Sequence, residues 1–408
     1  MRPGTLLRHG ETGPSVEEKY FEHRFDYASY RKAHVQDCVD AFIQAARRTV
    51  SRFRDGTIAA ITGGYDSRTI LAALLYSGLK IPLVTHYEKK GIDFRIAQRV
   101  AEAAGFEHRC LHIGETYRSS IAEHARIMLK ASNGMCDVYN AHAPFIYQHW
   151  SGKAALMLDG NHSSIEGRWY LRNSAHSLKG KDDFVEAVIR NLLAGNKLSL
   201  VREEHRARIR GASEEIAGER ITAAYRGENG SDAADIYYAE NLLPYHNSDL
   251  ALLQNGAIRY ASPYYDLDYV ATLYKLPPRI RWMQGPQQAV IRRCFPDVVS
   301  HPRSYADIRT LAVSNQVLQR LPVAYQRLLD KTVKRRFEGL HRRMSIVDPT
   351  MPYENNLDLL TLLPEFRMDG FDDAKLEALI QKSRLENRVR PELTKLIHIF
   401  YQLEKTDG

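Results

Sequence analysis

Cysteine is scarce in this sequence. Its 408 residues include four cysteines, which form no CxxC pair. Disulfide frameworks and structural zinc sites both need cysteines at short, regular spacings, so neither is expected here. The four positions are Cys38, Cys110, Cys136 and Cys294. Because a chain without disulfides suits a reducing compartment, we expect a cytoplasmic protein.

Long apolar runs are missing as well. No stretch approaches the roughly 20 apolar residues that span a bilayer, and residues 1–20 lack the apolar core of a signal peptide. We therefore expect no membrane partner. The composition, 44% hydrophobic and 26% charged, is that of a globular protein. Since 408 residues exceed one ordinary core, we expect two domains or one large one.

The chain carries an excess of positive charge but no long basic tract. Its formal net charge is +8 and its pI is about 9.1, which would suit nucleic acid or anionic substrates. The densest cluster, residues 334–343, reads KRRFEGLHRR and falls in a predicted helix. A solvated helix face explains this cluster better than a binding patch does. We therefore do not expect a nucleic-acid partner, since a nucleotide substrate would also account for positive charge.

Strand and helix patterns alternate over the first part of the chain. Strands are predicted at 57–61, 81–85, 110–113 and 155–158. Helices are predicted at 31–52, 67–76, 94–104 and 118–131. This alternation predicts an α/β fold with a parallel, doubly wound sheet that binds ligands at the carboxyl ends of its strands. The later pattern is helical, notably at 233–256 and 310–408, whereas residues 1–30 are predicted to be irregular.

The segment IAAITGGYDS, residues 58–67, joins the first predicted strand to its helix. Gly63 and Gly64 let the backbone bend and approach an anion, and the new helix points its free N–H groups at that anion. Asp66 adds a carboxylate through which magnesium could bridge to phosphate. No Lys follows the glycines, so this is not a Walker A loop. A bare Gly-Gly turn suits any α/β domain, but strand, glycines, Asp-Ser and helix together indicate a nucleotide site.

TGGYDS, residues 62–67, resembles the SGGxDS pyrophosphate loop of the N-type ATP pyrophosphatases, which cut ATP between its α and β phosphates. That group includes tRNA-modifying enzymes, NAD synthetase and asparagine synthetase. Four further segments resemble the synthetase domain of asparagine synthetase and its relatives, β-lactam synthetase and the lasso-peptide cyclases. They are residues 83–113, 158–170, 258–282 and 287–304, with matches at Asp93, Ala97, Ala101, His108, Arg259, Pro263, Asp266, Leu276 and Pro277.

The resemblance implies the adenine nucleotide α-hydrolase-like version of this sheet, with helical C-terminal additions. It divides the chain into a short N-terminal remnant with the first helix at 1–45, an ATP-binding synthetase domain at 46–305 and a helical region at 306–408. Residues 2–7 resemble the strand that ends the glutaminase domain of full-length asparagine synthetases, and no N-terminal Cys nucleophile is present. Glutamine hydrolysis is therefore not expected. The nitrogen would come from ammonia, from an amine on a second substrate, or from an amine delivered by a partner protein.

The activity implied by the resemblance is an ATP-dependent ligase that forms amide bonds in a biosynthetic pathway. A small-molecule or peptide carboxylate would react with ATP to give an acyl-adenylate and pyrophosphate, and an amine or ammonia would then displace AMP. ATP and Mg²⁺ would be the cofactors. Two other interpretations stay open: a tRNA-modifying enzyme of the same group, and a catalytically degenerate protein that binds nucleotide without turnover. The sequence leaves open whether the protein forms a homo-oligomer.

The family motifs imply roles for individual residues. Those that would cradle pyrophosphate are Thr62, Gly63, Gly64 and Ser67. Those that would face the adenine, mostly through their backbone, are Val84, Thr85 and His86. Asp66 would hold magnesium, and Asp93 would contact the nucleotide or cap its helix. Arg259 and Asp266 are expected to form an ordered ion pair near the floor of the cleft.

The second acidic loop departs from the family pattern. Where the family carries GExxDE, this sequence reads NHSS at 161–164, and the nearby acids are Asp159 and Glu166. Asp159 would then be the second metal ligand, beside Asp66. Arg303 stands nearest to the family's late pyrophosphate-binding Lys, but Arg stays protonated and cannot shuttle a proton. Some relatives deprotonate a bulky amine with a Tyr–Glu pair, for which Tyr139 and Glu166 are candidates. The implied catalytic set is Asp66, Glu166, Tyr139 and Arg303.

Overall fold

The computed structural model describes residues 4–9, 15–53, 56–134, 136, 138–161, 163–166, 180–192, 200–225, 230–246, 248–281, 284–297, 357–363, 371–387, 389, 393, 396 and 397. Its strands are β1 (Thr5–Arg8), β2 (Val16–Lys19), β3 (Thr57–Ala60), β4 (Leu83–Tyr87), β5 (His108–His112), β6 (Leu156–Leu158) and β7 (Arg259–Ala261). The last five form one parallel sheet in the order β5-β4-β3-β6-β7. β1 and β2 form a separate antiparallel hairpin.

The helices of the described residues surround this sheet. They are α1 (Ala33–Ser51), α2 (Tyr65–Tyr76), α3 (Ile92–Ala104), α4 (Glu115–Arg118), α5 (Ile121–Ala131), α6 (His142–Trp150), α7 (Lys181–Leu192), α8 (Glu203–Ala224), α9 (Gly230–Tyr237), α10 (Leu243–His246), α11 (Ser248–Asn255), α12 (Leu267–Leu273), α13 (Pro278–Arg281), α14 (Gly285–Cys294) and α15 (Asp373–Leu385). Short 3₁₀ turns lie at Val138–Asn140, Ser163–Glu166, Pro263–Tyr265 and Leu357–Leu362, and a π-helical segment at Tyr238–Leu242. Within these described parts of the chain, no helix has the length and apolar character needed to cross a membrane.

Both faces of the sheet are buried, because side chains alternate between the faces along each strand. On one face, Ala59 and Leu83 pack against α1, α2, α3, α12 and α14. On the other face, Ile58, Val84 and Met157 pack against α5, α6 and α11. A parallel sheet covered by helices on both faces is consistent with the doubly wound α/β fold that the strand and helix alternation predicts.

The order of the strands reverses between β3 and β6. The chain moves outward from β3 through β4 to β5 at one edge, and from β6 to β7 at the other. In such sheets a crevice opens at the carboxyl ends of the two strands where the order reverses, and ligands bind there. The loops that follow β3 and β6 flank this position. The topology therefore marks one place for a site, between these two loops.

α2 is buried along most of its length and holds the loop before it in place. Its residues Ile70 to Leu74 are all at most 1% exposed, because α2 packs against the sheet with α1 and α14 around it. α1 is amphipathic and presents Cys38, Phe42 and Ala46 at helical spacing to the same core. A helix enclosed on all sides has little freedom to move, so its N-terminal end is a rigid support for a site.

Several predicted boundaries are close to those observed. The strand predicted at 57–61 is β3, and the helix predicted at 67–76 is α2, which begins two residues earlier at Tyr65. The strand predicted at 81–85 is β4, which begins only at Leu83, after Pro82. Proline has no N–H to donate to a neighbouring strand, so it suits the position before a strand begins.

Other predictions need correction. The helix predicted at 118–131 is two helices, α4 and α5, and between them the Ser119 and Ser120 hydroxyls donate to the Thr116 carbonyl and compete with helical bonding. The helix predicted at 233–256 is helical over its described residues as far as Asn255, but it includes a π-helical segment just before Pro244, which has no backbone N–H to donate. Residues 1–30 contain the β1–β2 hairpin. Most of 310–408, and the domain boundary at 305, lie outside the described residues.

Candidate functional site

The loop after β3, residues 62–67, is held by its own side chains, and we call it the glycine loop. The Thr62 N–H donates to Ser67 Oγ at 3.0 Å, and the hydroxyl oxygens of Thr62 and Ser67 lie 3.1 Å apart. The Gly64 N–H donates to Thr62 Oγ1 at 3.2 Å. These bonds fix the shape of the loop before any ligand binds, which lowers the entropy cost of binding.

The glycine loop leads into the N-terminus of α2. Gly64 is the N-cap residue and has no side chain to bond the first N–H groups of the helix. These N–H groups and the positive end of the helix dipole favour an anion at this position. A Cβ at Gly63 would lie 2.3 Å from Asp93 Oδ1 and 3.0 Å from Asp93 Cα, so only glycine fits there. Asp93 thus borders the loop, and it is not the N-cap of α3, which is Gly91.

Asp66 lies in the first turn of α2 and is held by side chains from distant parts of the chain. Gln287 Nε2, on α14, donates to Asp66 Oδ1 at 2.8 Å. The Tyr264 hydroxyl donates to the Asp66 backbone oxygen at 2.9 Å. Burial raises the pKa of the Asp66 carboxyl, and hydrogen bonds from Ser163 and Gln287 oppose this rise. The carboxylate is therefore fixed in orientation, but no positive charge contributes to the shift of its pKa, so its ionised form is poorly stabilised.

The loop after β6, residues 159–166, packs against the same end of α2, and we call it the acid loop. A Cβ at Gly160 would lie 2.9 Å from Asp66 Cβ and 3.1 Å from Ser67 N, so the two loops touch at this glycine. Asp159 accepts the Asn161 N–H at 3.0 Å and the Asn161 side-chain amide at 2.8 Å. Burial raises the pKa of Asp159 to about 6; N–H donors at Asn161 and Gly160 oppose the rise, and the charge of Asp66 adds to it. The structure thus brings together Asp66 and Asp159.

Glu166, at the end of the acid loop, is 1% exposed. The Tyr269 hydroxyl, on α12, donates to its Oε1, and its Oε2 has no hydrogen-bond partner among the described residues. Burial raises the pKa of Glu166 well above its usual value; the bond from Tyr269 opposes this, and the charge of Asp66 adds to it. Glu166 is therefore a buried carboxyl behind Asp66, paired with a tyrosine that no sequence signal identifies.

The carboxyl end of β4 contributes Val84, Thr85 and His86. The Thr85 hydroxyl donates to the Ile61 backbone oxygen at 2.7 Å, which ties β4 to the start of the glycine loop. The Val84 side chain is buried in the core on the α5 and α6 face, so it can offer only backbone to a ligand. His86 faces His142 with ring centroids 6.0 Å apart. Burial and His142 lower the pKa of His86 to about 3, so His86 is neutral.

The predicted ion pair between Arg259 and Asp266 is wrong. Asp266 instead accepts Arg48, on α1, at 2.7 Å and caps the N-terminus of α12. The Arg259 guanidinium lies over the Phe53 ring, 5.3 Å from its centroid. Other predicted positions, Arg303, His162 and the side chain of Tyr139, lie outside the described residues.

The residues present fit a magnesium–phosphate complex better than an all-protein metal cage. No group of three His, Cys, Asp or Glu side chains in the described ranges is arranged to hold a metal. Asp66 and Asp159 both have a raised pKa, and neither forms an ion pair with a described Lys or Arg. A cation between them would relieve this imbalance. Mg²⁺ usually binds one or two carboxylates and completes its shell with phosphate and water, which matches two acids beside an anion-binding loop.

The raised pKa of Asp159 predicts a pH dependence of stability. Its folded value, about 6, exceeds the unfolded value of 3.8, so the folded state binds the proton more tightly. Stability from this residue is therefore lost as pH rises from about 4 through about 6. Asp159→Asn removes the titration and should be more stable than the wild type by about 1–2 kcal/mol at pH 8, after allowance for solvent screening, with little difference near pH 4. Urea unfolding between pH 4 and 8 checks this, and parallel profiles for the two proteins would contradict it.

The comparisons with known proteins do not assign a family to this chain. No protein-family model matches the sequence, and a search of curated proteins finds no significant match. The geometry of the two loops therefore carries the functional interpretation.

Proposed function

We propose that the chain is an ATP-dependent ligase that forms amide bonds by activating a carboxylate as an acyl-adenylate, with release of AMP and pyrophosphate. The observation that carries this proposal is the glycine loop, which leads into an uncapped helix N-terminus and whose Asp66 lies beside Asp159, at the carboxyl ends of the two strands where the sheet order reverses. The N-terminus of α2 would bind phosphate. The two neighbouring carboxylates, which form no ion pair with a described Lys or Arg, would bind magnesium. We infer that the sheet is of the adenine nucleotide α-hydrolase-like type.

The glycine loop would bind the phosphates that leave. The N–H groups at the start of α2 would donate to pyrophosphate oxygens, and Thr62 and Ser67 would keep the loop in the shape that aims them. Gly63 would let the backbone approach the phosphates closely. Asp66 and Asp159 would hold magnesium, whose chemical contribution would be to neutralise negative charge on the phosphates.

The ends of the neighbouring strands would place the rest of the nucleotide. Thr85 and His86 lie at the carboxyl end of β4, next to β3, where the adenine would stack beside backbone groups. His86 is neutral, so it can donate or accept one hydrogen bond without adding charge. Asp93 borders the glycine loop from α3 and would limit the space on that side.

Glu166 would accept the proton that the incoming amine loses. Its Oε2 has no hydrogen-bond partner in the described part of the chain, and its high pKa reflects burial next to another negative group. A cation on Asp66 would remove part of that repulsion and lower the pKa of Glu166, so that it could ionise when the site is loaded. Tyr269 would hold its other oxygen in place. The roles of Tyr139 and Arg303 are carried only by the family resemblance.

The test is the dependence of AMP and pyrophosphate formation on two substrates. Purified protein is incubated with ATP, Mg²⁺ and panels of small-molecule or peptide carboxylates, with and without amines or ammonia. Pyrophosphate exchange into ATP should require a carboxylate, and net AMP release should require both the carboxylate and the amine. AMP release that depends on RNA would instead favour a tRNA-modifying enzyme. ATP binding without turnover on any panel would favour a degenerate nucleotide-binding protein.

A further inference from the structure

Gln287 is a buried neighbour of Asp66 whose amide is only half satisfied. It is 1% exposed, at the start of α14. Its Nε2 donates to Asp66 Oδ1 at 2.8 Å, whereas its Oε1 has no hydrogen-bond partner among the described residues. A buried polar atom without a partner costs free energy. The buried amide oxygen of Gln287 therefore destabilises the fold, while the amide N–H donates to Asp66.

The backbone before Gln287 is unusual, and it sets where the amide lies. Gln284, the N-cap residue of α14, has φ 61° and ψ 33°, a left-handed conformation that is rare outside glycine. At Gly285 a Cβ would lie 1.9 Å from the Ile280 backbone oxygen, so the chain passes too close for any side chain. Pro286 follows in the first turn of the helix, where a proline is tolerated. Strained conformations persist where the surroundings impose them, and they cluster at functional sites.

We propose that Gln287 determines which divalent cation accompanies the nucleotide at this site. The inference rests on the proposed function. Because the amide donates to Oδ1, it draws charge from that oxygen and fixes the plane of the carboxylate, so Asp66 offers mainly Oδ2 to a cation. Mg²⁺ requires near-octahedral geometry with few protein ligands, whereas Ca²⁺ takes more oxygens and accepts both oxygens of one carboxylate. A carboxylate restricted to one oxygen therefore favours Mg²⁺ over Ca²⁺.

The other contacts of Asp66 do not impose this restriction. The Ser163 hydroxyl also bonds to the carboxylate, but a hydroxyl can rotate its proton away and offer its oxygen to a cation. Tyr264 bonds the backbone oxygen of Asp66 rather than its carboxylate. The amide of Gln287 can approach an ionised carboxylate only through its N–H groups, so it uses one lone pair of Oδ1 and disfavours binding of one cation by both oxygens.

The experiment measures cation preference by binding rather than by turnover. The dissociation constant of α,β-methylene-ATP, which cannot be cut between its α and β phosphates, is measured by calorimetry with Mg²⁺ and with Ca²⁺. Gln287→Met removes the donor and fills the space, and it should shift the ratio of the two constants about tenfold toward Ca²⁺. Gln287→Leu, which also lacks a donor, should shift the ratio in the same direction. Gln288→Met is the matched control, because the Gln288 amide oxygen bonds Arg292 rather than Asp66.

The outcomes separate this inference from the proposed function. If the wild-type protein binds the analogue with Mg²⁺ preferred and both Gln287 variants keep that preference, the inference is wrong and the proposed function stands. If the wild-type protein binds the analogue with neither cation, both are wrong. Circular dichroism melting shows whether Gln287→Met folds; if it does not, the Gln287→Leu result decides.

Discussion

Asp66→Asn is expected to abolish AMP formation while leaving the fold intact. Asparagine has the shape of aspartate, and its Oδ1 can still accept the Gln287 amide, so the contact between α2 and α14 is kept. What disappears is the negative charge that would hold magnesium beside the departing pyrophosphate. We expect a loss of at least about 1,000-fold, because under the proposed function charge stabilisation of the leaving phosphates would be the main contribution of this site. ATP–pyrophosphate exchange measures the loss, and thermal melting measures the fold.

The matched control is Asp268→Asn, the same change on the outer face of α12. The Asp268 side chain is 76% exposed and contacts Arg48 at the surface, away from the glycine loop. This variant should keep both activity and melting temperature. Unchanged AMP release by Asp66→Asn would refute the assignment of Asp66, and with it the proposed role of the glycine loop. If Asp66→Asn fails to fold, the Asp66 carboxyl is instead needed for the structure.

The glycine loop and its two flanking elements could be predicted from the sequence because their determinants are local. A β-branched run, two glycines and an Asp-Ser pair follow one another within residues 58–67, and each step favours the next. The structure places β3, the loop and α2 within two residues of the predicted limits. The strand and helix alternation also predicts the parallel sheet, since neighbouring βαβ units pair with little dependence on distant residues.

The partners of the site residues could not be predicted, because packing of distant helices determines them. Gln287 lies 221 residues from Asp66, and Tyr269 lies 103 residues from Glu166. Both contacts arise only once α12 and α14 pack beside α1 and α2. The Arg259–Asp266 prediction was wrong for a related reason. The resemblance to the family motif suggested a pair, but the N-terminal end of α12 places Asp266 against α1 and its Arg48.

A buried ion-pair network joins the N-terminal segment to the helices that precede α14. Arg281 is fully buried and donates to Asp235 at 2.5 Å, to Asp232 at 2.9 Å and to the Leu276 backbone oxygen at 3.0 Å. Its guanidinium lies 4.0 Å from the centroid of the Phe25 ring. Asp232 and Asp235 are themselves almost completely buried, so each depends on Arg281 for much of its compensation.

Arg281→Met is therefore expected to be the most destabilising single change among those considered, at about 3–5 kcal/mol, because it removes a buried cation that two buried carboxylates share. Urea unfolding followed by tryptophan fluorescence measures the loss. Adding Asp232→Asn and Asp235→Asn to Arg281→Met removes the two buried carboxylate charges and should recover most of the stability. Arg279→Met, on the exposed side of α13, is the control and should cost less than about 1 kcal/mol. A loss in Arg281→Met no larger than in Arg279→Met would contradict the network's structural role. Failure of the triple variant to recover would show that packing against Phe25, rather than charge, is the main contribution of Arg281.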